Sequence, residues 1–312
     1  MSLVFNLLVL VLLFFILGLA ADLAVDNIRY IALSLRMKLF ALGVVLGIAT
    51  TLPELTVGIN AALQGAGSLS VGNIMGGIIV MIGLILGSSL ILNKRVETDK
   101  SLKPLPQIAL LILSPFVLGI DGRFGLVDGL IMVFLYAALI FYLYRINRST
   151  MGEGLAIIDK KKMFRSMLLA VVGIILVVLT SHFVVELAVD VLDKVNVSKL
   201  VLGIILFSIG TNLPEIMIAF TSWRRKASEL SLSHLTSSAF TNILVLGLLC
   251  ILKPITFTVG PVYYGLVFFV TLIIILFIIF SHTDKSLSRK EGIVLIGVYL
   301  LFVVTNIILA NI

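Results

Sequence analysis

The stretch LFALGVVLGIATTLPELTVGINAAL, residues 39–63, is long and apolar enough to cross a membrane, yet Pro53 and Glu54 lie near its middle. A proline removes a helical hydrogen bond, and an acidic side chain in hydrocarbon is costly. Nearly the same string, TNLPE, returns at residues 211–215. This recurrence indicates that the proline and the glutamate have a role in each half of the chain.

The composition around this stretch is that of a polytopic membrane protein. The 312 residues are 60% hydrophobic and 12% charged, whereas about a quarter of the residues of a soluble domain are charged. The first apolar run lacks the basic start of a signal peptide, so we expect it to be retained as a helix. Cys250 is the only cysteine, which excludes an internal disulfide.

Ten apolar segments, separated by short polar connections, predict an all-α membrane protein with ten transmembrane helices. The predicted segments are 3–34, 38–63, 69–92, 105–121, 125–145, 164–189, 198–222, 229–252, 262–282 and 291–310.

The distribution of basic residues predicts the orientation of these segments. Of the 23 Lys and Arg residues, 18 lie in or beside the five alternate connections that begin with the first, four lie on the opposite side, and Arg29 lies near the end of the first segment. The positive-inside rule then places both termini outside the cell membrane and the central linker, 147–163, in the cytoplasm. The net charge of +7 is explained by this topology and does not indicate nucleic-acid binding.

The two halves of the chain are related in sequence. KLFALGVVLGIATTLPE at 38–54 and KLVLGIILFSIGTNLPE at 199–215 match at seven of 17 positions without a gap. Each half has five predicted helices, so the second half enters the membrane from the opposite side. The sequence therefore predicts two inverted five-helix repeats, 1–146 and 164–312, with an ion site near the midplane between them.

The repeated motif supplies oxygen atoms at membrane depth. Each proline should free the carbonyl four residues earlier, at Ala49 and Gly210, and such irregular backbone is tolerated where it lines a cavity. Carbonyls, hydroxyls and two carboxylates favour hard cations such as Ca²⁺, and Na⁺ for the same reason. The motif residues that share one helix face in each half are Gly47, Thr50, Thr51 and Glu54, and Ser208, Thr211, Asn212 and Glu215.

Other polar residues allow two interpretations. On the eighth segment His234, Ser238 and Asn242 form a stripe, whereas Gly76 and Gly77 on the third segment could simply permit close helix packing. His234 is either a hydrogen-bonded interior residue or a proton carrier. Four acids near the ends of the first and sixth segments are either solvated helix-end residues or the mouth of an ion pathway, and they are Asp22, Asp26, Glu186 and Asp190.

These motifs resemble those of the calcium/cation antiporter superfamily, which includes the sodium/calcium exchangers. GTNLPE at 210–215 and ATTLPE at 49–54 are similar to the G-T-S-L-P-E motif of each half in that family. The resemblance implies that Glu54 and Glu215 are the central ion ligands. It also implies further oxygens from Thr50, Thr51, Thr211 and Asn212, from the carbonyls of Gly47 and Ser208, and from Ser238 and Asn242. Gly77 and Met81 depart from the pattern, because the family usually has Ser and Asn or Asp there.

The resulting hypothesis is a secondary active antiporter that exchanges Ca²⁺, or another divalent cation, for Na⁺ or H⁺ and that uses no cofactor. A passive cation channel and a transport-impaired homologue are the alternatives. An enzyme is disfavoured, because the sequence has no H-E-x-x-H motif and no nucleophile at a recognisable spacing from a base. The coupling ion and the oligomeric state stay open.

Overall fold

The computed structural model describes residues 3–34, 39–93, 95–97, 104–146, 160–192, 198–224, 228–283 and 286–310, and nearly all of them are helical. The first half contains α1 (Leu3–Ser34), α2 (Leu39–Thr50), α3 (Leu52–Leu63), α4 (Gly67–Asn93), α5 (Leu105–Leu118) and α6 (Leu126–Ile146). The second half contains α7 (Lys160–Leu192), α8 (199–210), α9 (Leu213–Arg224), α10 (Ser228–Leu252), α11 (Pro261–Thr283) and α12 (Arg289–Ala310).

Each predicted apolar segment contains helix, but the segments differ in their fitness to span a bilayer. Within the described ranges, eight helices are long and apolar enough to cross a membrane. The bent pair α2–α3 would be a ninth span, and α5 is a shorter apolar helix. The structure thus confirms a multi-pass helical protein, while the count of ten stays a prediction. Most of the predicted linker, 147–159, lies outside the described residues.

Helix α4 forms the centre of the bundle. In the most apolar 18-residue stretch of α4, 83% is buried inside the protein, compared with 28% in the corresponding stretches of α6 and α12. Two wide turns interrupt the α-helical geometry, a π-helical stretch at Val80–Leu86 in α4 and another at Gly203–Phe207 in α8. Such turns are often found at functional sites. Helices α1 and α7 pack closely along each other, and their outer faces expose apolar side chains suited to lipid.

Two short antiparallel strand pairs were not predicted by the apolar pattern. β1 (Arg95–Glu97) pairs with β4 (Ser286–Ser288), which joins the connection after α4 to the connection before α12. β2 (Arg123–Phe124) pairs with β3 (Ile255–Thr256), which joins the turns at the starts of α6 and α11. Each pair provides hydrogen-bond partners for backbone groups of two connections and ties the first half to the second.

Candidate cation-binding site

Both repeated motifs lie at breaks in a helix. Helix α2 ends at Thr50 and α3 begins at Leu52, with a bend of 46°. In the second half α8 ends at residue 210 and α9 begins at Leu213. Each proline therefore occupies the first turn of a new helix, where its missing N–H costs little. The following glutamate lies in the same turn, where the helix dipole favours a negative charge.

The two glutamates are fully buried and unpartnered. Glu54 and Glu215 are each 0% exposed. Among the described residues, none of their four carboxyl oxygens has a hydrogen-bond partner. A buried carboxylate without a hydrogen-bond partner of good geometry is costly, because little replaces the hydration that the group loses. The pair therefore needs a compensating cation or proton.

Hydroxyl groups lie beside each carboxyl, and at least one of them comes from the opposite half. Thr211 lies beside Glu54, and the Thr211 hydroxyl donates to Asn73 Oδ1 at 3.0 Å. Thr50 and Ser238 lie beside Glu215, and their hydroxyl oxygens are 3.2 Å apart. The structure thus brings together side chains that are more than a hundred residues apart in the sequence.

Backbone carbonyls and amide groups complete the set that the sequence predicts. The carbonyl of Gly47 accepts hydrogen bonds from the hydroxyls of Thr50 and Thr51, each at 3.2 Å. The Asn212 amide donates to the Ser208 carbonyl at 2.7 Å. The Asn212 side-chain oxygen is buried without a partner, as are both polar side-chain atoms of Asn242. These free amide oxygens are further potential ligands.

The two departures from the family pattern have different surroundings. A Cβ on Gly77 would lie 3.1 Å from the side-chain nitrogen of Asn212 and 3.4 Å from that of Asn242. Amide groups therefore occupy the space beside Gly77. Met81 is fully buried and lines an apolar cavity with neighbours that include Leu235 and Ala239. At position 81 the third predicted segment consequently contributes apolar packing.

Asn73 belongs to this cluster, although the sequence motif does not predict it as a ligand. It is fully buried, it accepts the Thr211 hydrogen bond, and its side-chain nitrogen has no partner among the described residues. An asparagine in an otherwise apolar helix is itself a signal, because burying an amide is costly. Asn73 also corresponds to His234 in the repeat, whose side chain lies outside the described part.

The donor set of the cluster consists of two carboxylates together with hydroxyl, amide and carbonyl oxygens. Within the described ranges no group of three or more His, Cys, Asp or Glu side chains could hold a metal ion. The two carboxylates therefore carry the negative charge of this cluster, and its other oxygens are neutral and come from helices of both halves.

This fold and cluster define a multi-pass membrane protein with two buried carboxylates at matched helix breaks. The model of the family described as sodium/calcium exchanger protein matches residues 5–145 and 165–308, and the chain therefore belongs to that family. The membrane protein MJ0091 of Methanocaldococcus jannaschii is 28% identical over 304 residues, which are 92% of this chain and 95% of that protein. The family confirms the predicted resemblance and the prediction that the chain is not an enzyme.

Solved structures show the same fold. The sodium–calcium exchanger NCX_Mj superposes with a TM-score of 0.69 at 23% identity, over 97% of this chain and 99% of that one. The H⁺/Ca²⁺ exchanger CAX superposes with a TM-score of 0.74 at 19% identity, over 95% of this chain and 85% of that one. The fold is thus common to exchangers that are named for different coupling ions.

Proposed function

We propose that this protein is a secondary active antiporter that exchanges Ca²⁺ for Na⁺ or H⁺ by alternating access around Glu54 and Glu215. One observation carries the proposal, namely two buried carboxylates at matched helix breaks with four oxygens that lack partners in the described structure. The names of the two structural neighbours support Ca²⁺ as one substrate and either Na⁺ or H⁺ as the other.

The proposed architecture is ten transmembrane helices in two inverted repeats, with the site between them. The sequence repeat and the matched breaks before Glu54 and Glu215 support this arrangement. In such transporters one bundle rocks against the other around a site that stays fixed. The opposite hydroxyls beside each carboxyl fit a site to which both halves contribute.

Uptake of radiolabelled Ca²⁺ by proteoliposomes tests the proposal. We expect uptake when an outward Na⁺ gradient or an outward H⁺ gradient is imposed, and none in protein-free liposomes. Efflux of the coupling ion should accompany Ca²⁺ entry. Rapid Ca²⁺ equilibration without counterflow would instead support the passive channel. No flux under either gradient would support the transport-impaired homologue, for which the apolar side chain of Met81 is the structural argument.

We further propose that one transport cycle moves Ca²⁺ against at most two monovalent ions or protons. The cluster contains two carboxylates, whose charge balances one Ca²⁺, and a dehydrated site tolerates little uncompensated charge. The expected exchange is therefore electroneutral. Ca²⁺ flux measured at two potentials set with K⁺ and valinomycin should be equal, and a strong dependence on potential would mean that a third charge takes part.

The proposed topology has both termini outside and the central linker in the cytoplasm. A cysteine introduced at Ser149, in a Cys250→Ala background, should be unreactive towards an impermeant thiol reagent applied outside intact cells. The same cysteine should react in everted vesicles. Labelling from outside would reverse the orientation, which rests on the asymmetry of basic residues.

A further inference from the structure

One face of α1 packs against the break between α8 and α9, just before Glu215. A Cβ on Gly210 would overlap the ring of Phe14, and the rings of Phe14 and Phe207 meet edge to face with their centroids 5.1 Å apart. One turn later, a Cβ on Gly18 would lie 3.1 Å from the Cβ of Leu213. Both contacts advance along α1 as the second-half chain advances, so α1 runs alongside this break in the same direction as the chain that crosses it.

The next turn of this face carries an acid. Asp22 lies four residues beyond Gly18, about 6 Å further along the helix. Asp22 is partly buried, and it is close enough to Glu215 for its negative charge to disfavour a second negative charge on that carboxyl. Asp26 lies one turn later and is exposed. Its negative charge repels that of Asp22. Asp26, Asp22 and Glu215 are thus exposed, partly buried and fully buried in that order, and the Glu215 oxygens lack hydrogen-bond partners among the described residues.

The corresponding acids of the second half are arranged differently. Glu186 and Asp190 correspond to Asp22 and Asp26 in sequence, and both are exposed. The Glu186 side chain is 60% exposed and lies 4.0 Å from His182 Nε2 on the same helix. Towards α3, helix α7 presents the hydroxyl of Ser181, which accepts a hydrogen bond from the Asn60 amide at 2.9 Å. The contact of α7 with α3 is therefore neutral at that point.

We infer that Asp22, with Asp26 outside it, attracts cations on their way to Glu215 from the face of the membrane at which α1 ends. This inference rests on the proposed function, and the proposed topology makes that face cytoplasmic. A partly buried negative charge, in surroundings of low dielectric, raises the local concentration of cations and their rate of entry. The ligand class is any hydrated mono- or divalent cation, because two acids separated by one helical turn impose no geometry.

The inference also includes an asymmetry between the two faces of the membrane. The pathway from the α1 end has an acid that acts on the site, whereas the acids matched to it on α7 face outward. Cation entry should therefore depend on ionic strength more strongly at one face than at the other. The basic side chains near this end of α1 include Arg29, which is exposed, and Lys162, whose ammonium lies 4.8 Å from the ring centre of Tyr30.

Membrane vesicles of both orientations test the inference with three variants. Asp22→Asn removes the charge at nearly constant volume, Asp22→Glu retains it, and Glu186→Gln is the matched control. The half-saturating Ca²⁺ concentration is measured at each face in about 10 mM and about 100 mM choline chloride, which correspond to Debye lengths of about 30 Å and 10 Å.

For Asp22→Asn we expect a rise in half-saturating Ca²⁺ of about three- to tenfold, only at the face where α1 ends and only in low salt. Asp22→Glu and Glu186→Gln should match the wild type. An unchanged Asp22→Asn, or an equal loss at both faces without salt dependence, would overturn the inference while the wild type still exchanges Ca²⁺. Absence of exchange by the wild type would overturn the proposed function, and this inference with it.

Discussion

Where α4 crosses α8, backbone lies directly against backbone, whereas hydroxyl side chains separate α2 from α10. A Cβ on Gly72 would overlap the carbonyl oxygen of Leu200, and a Cβ on Gly203 would overlap that of Leu69. At the other crossing, a Cβ on Gly47 would lie 2.9 Å from the hydroxyl oxygen of Ser237. The two crossings carry corresponding motifs, but they are stabilised by different contacts.

The two crossings also differ in the geometry of their helices. Both helices of the first crossing contain a π-helical stretch, while α2 and α10 are regular α-helices over Leu39–Thr50 and Ser228–Leu252. Close glycine contacts leave little freedom for relative displacement, because a packed backbone cannot rotate out of the way. Hydroxyls can rotate and exchange partners. The comparison teaches that one repeat motif can be held by a rigid contact in one place and an adaptable contact in the other.

The largest expected effect comes from the carboxylates of Glu54 and Glu215, which follow α2 and α8, one helix of each crossing. Glu54→Gln and Glu215→Gln should each reduce Ca²⁺ exchange below about 1% of wild type, because loss of one partner from a buried charged site costs about 3–5 kcal/mol. Fluxes in proteoliposomes measure this, with the exposed Glu186→Gln as the control. Near-normal flux in either variant would show that the two crossings do not share one ion site.

The next largest effect is a loss of stability on replacing a glycine by alanine, and it should differ between the two crossings. Gly203→Ala should destabilise the protein by about 1–3 kcal/mol or more, because the added methyl meets backbone that cannot move aside. Gly47→Ala should cost less, since the Ser237 hydroxyl can rotate. Gly297→Ala is the control, because a Cβ there meets nothing within 4 Å. Thermal unfolding in detergent provides the ranking, and equal losses for the first two would refute the contrast.

A smaller effect is expected from restoring the hydroxyl that the family pattern contains. Gly77→Ser places an oxygen between the amides of Asn212 and Asn242, which are flexible enough to shift by a few tenths of an ångström. The variant should fold, with a stability change of about 1 kcal/mol or less. We expect Na⁺-driven Ca²⁺ uptake to increase relative to H⁺-driven uptake. An unchanged ratio would mean that position 77 does not contribute to the choice of coupling ion.

The smallest effect concerns two lysines of the second half that hold the end of a first-half helix. Lys253 donates to the Ala62 carbonyl at 2.7 Å, and Lys199 donates to the Gly65 carbonyl at 3.1 Å. Lys253→Met should lower stability by at most about 1 kcal/mol, because both groups can also bind water. Exchange should persist. A severe loss of folding would give this turn a larger structural role than either crossing.

Much of the fold could be predicted because a membrane imposes simple rules on the sequence. Apolar length predicted the helical segments, since unsatisfied backbone groups are too costly in lipid. The helix breaks at both motifs followed from Pro53 and Pro214. The wide turns in α4 and α8 had no such signal, because an inserted residue in an apolar helix leaves the hydrophobic pattern almost unchanged. The short strand pairs involve too few residues to show a periodicity.

The candidate site, like the fold, was predicted from the sequence only in part. The sequence by itself determined that two acids are buried in matched motifs, since an intramembrane glutamate that recurs with a proline has few structural explanations. Tertiary structure alone decided which oxygens meet them. Thr211 with Asn73 and Thr50 with Ser238 are contacts across the two halves, and no local pattern encodes them. It also separated Asp22, whose charge acts on Glu215, from the exposed Glu186, because the direction of a helix face depends on the helix packed against it.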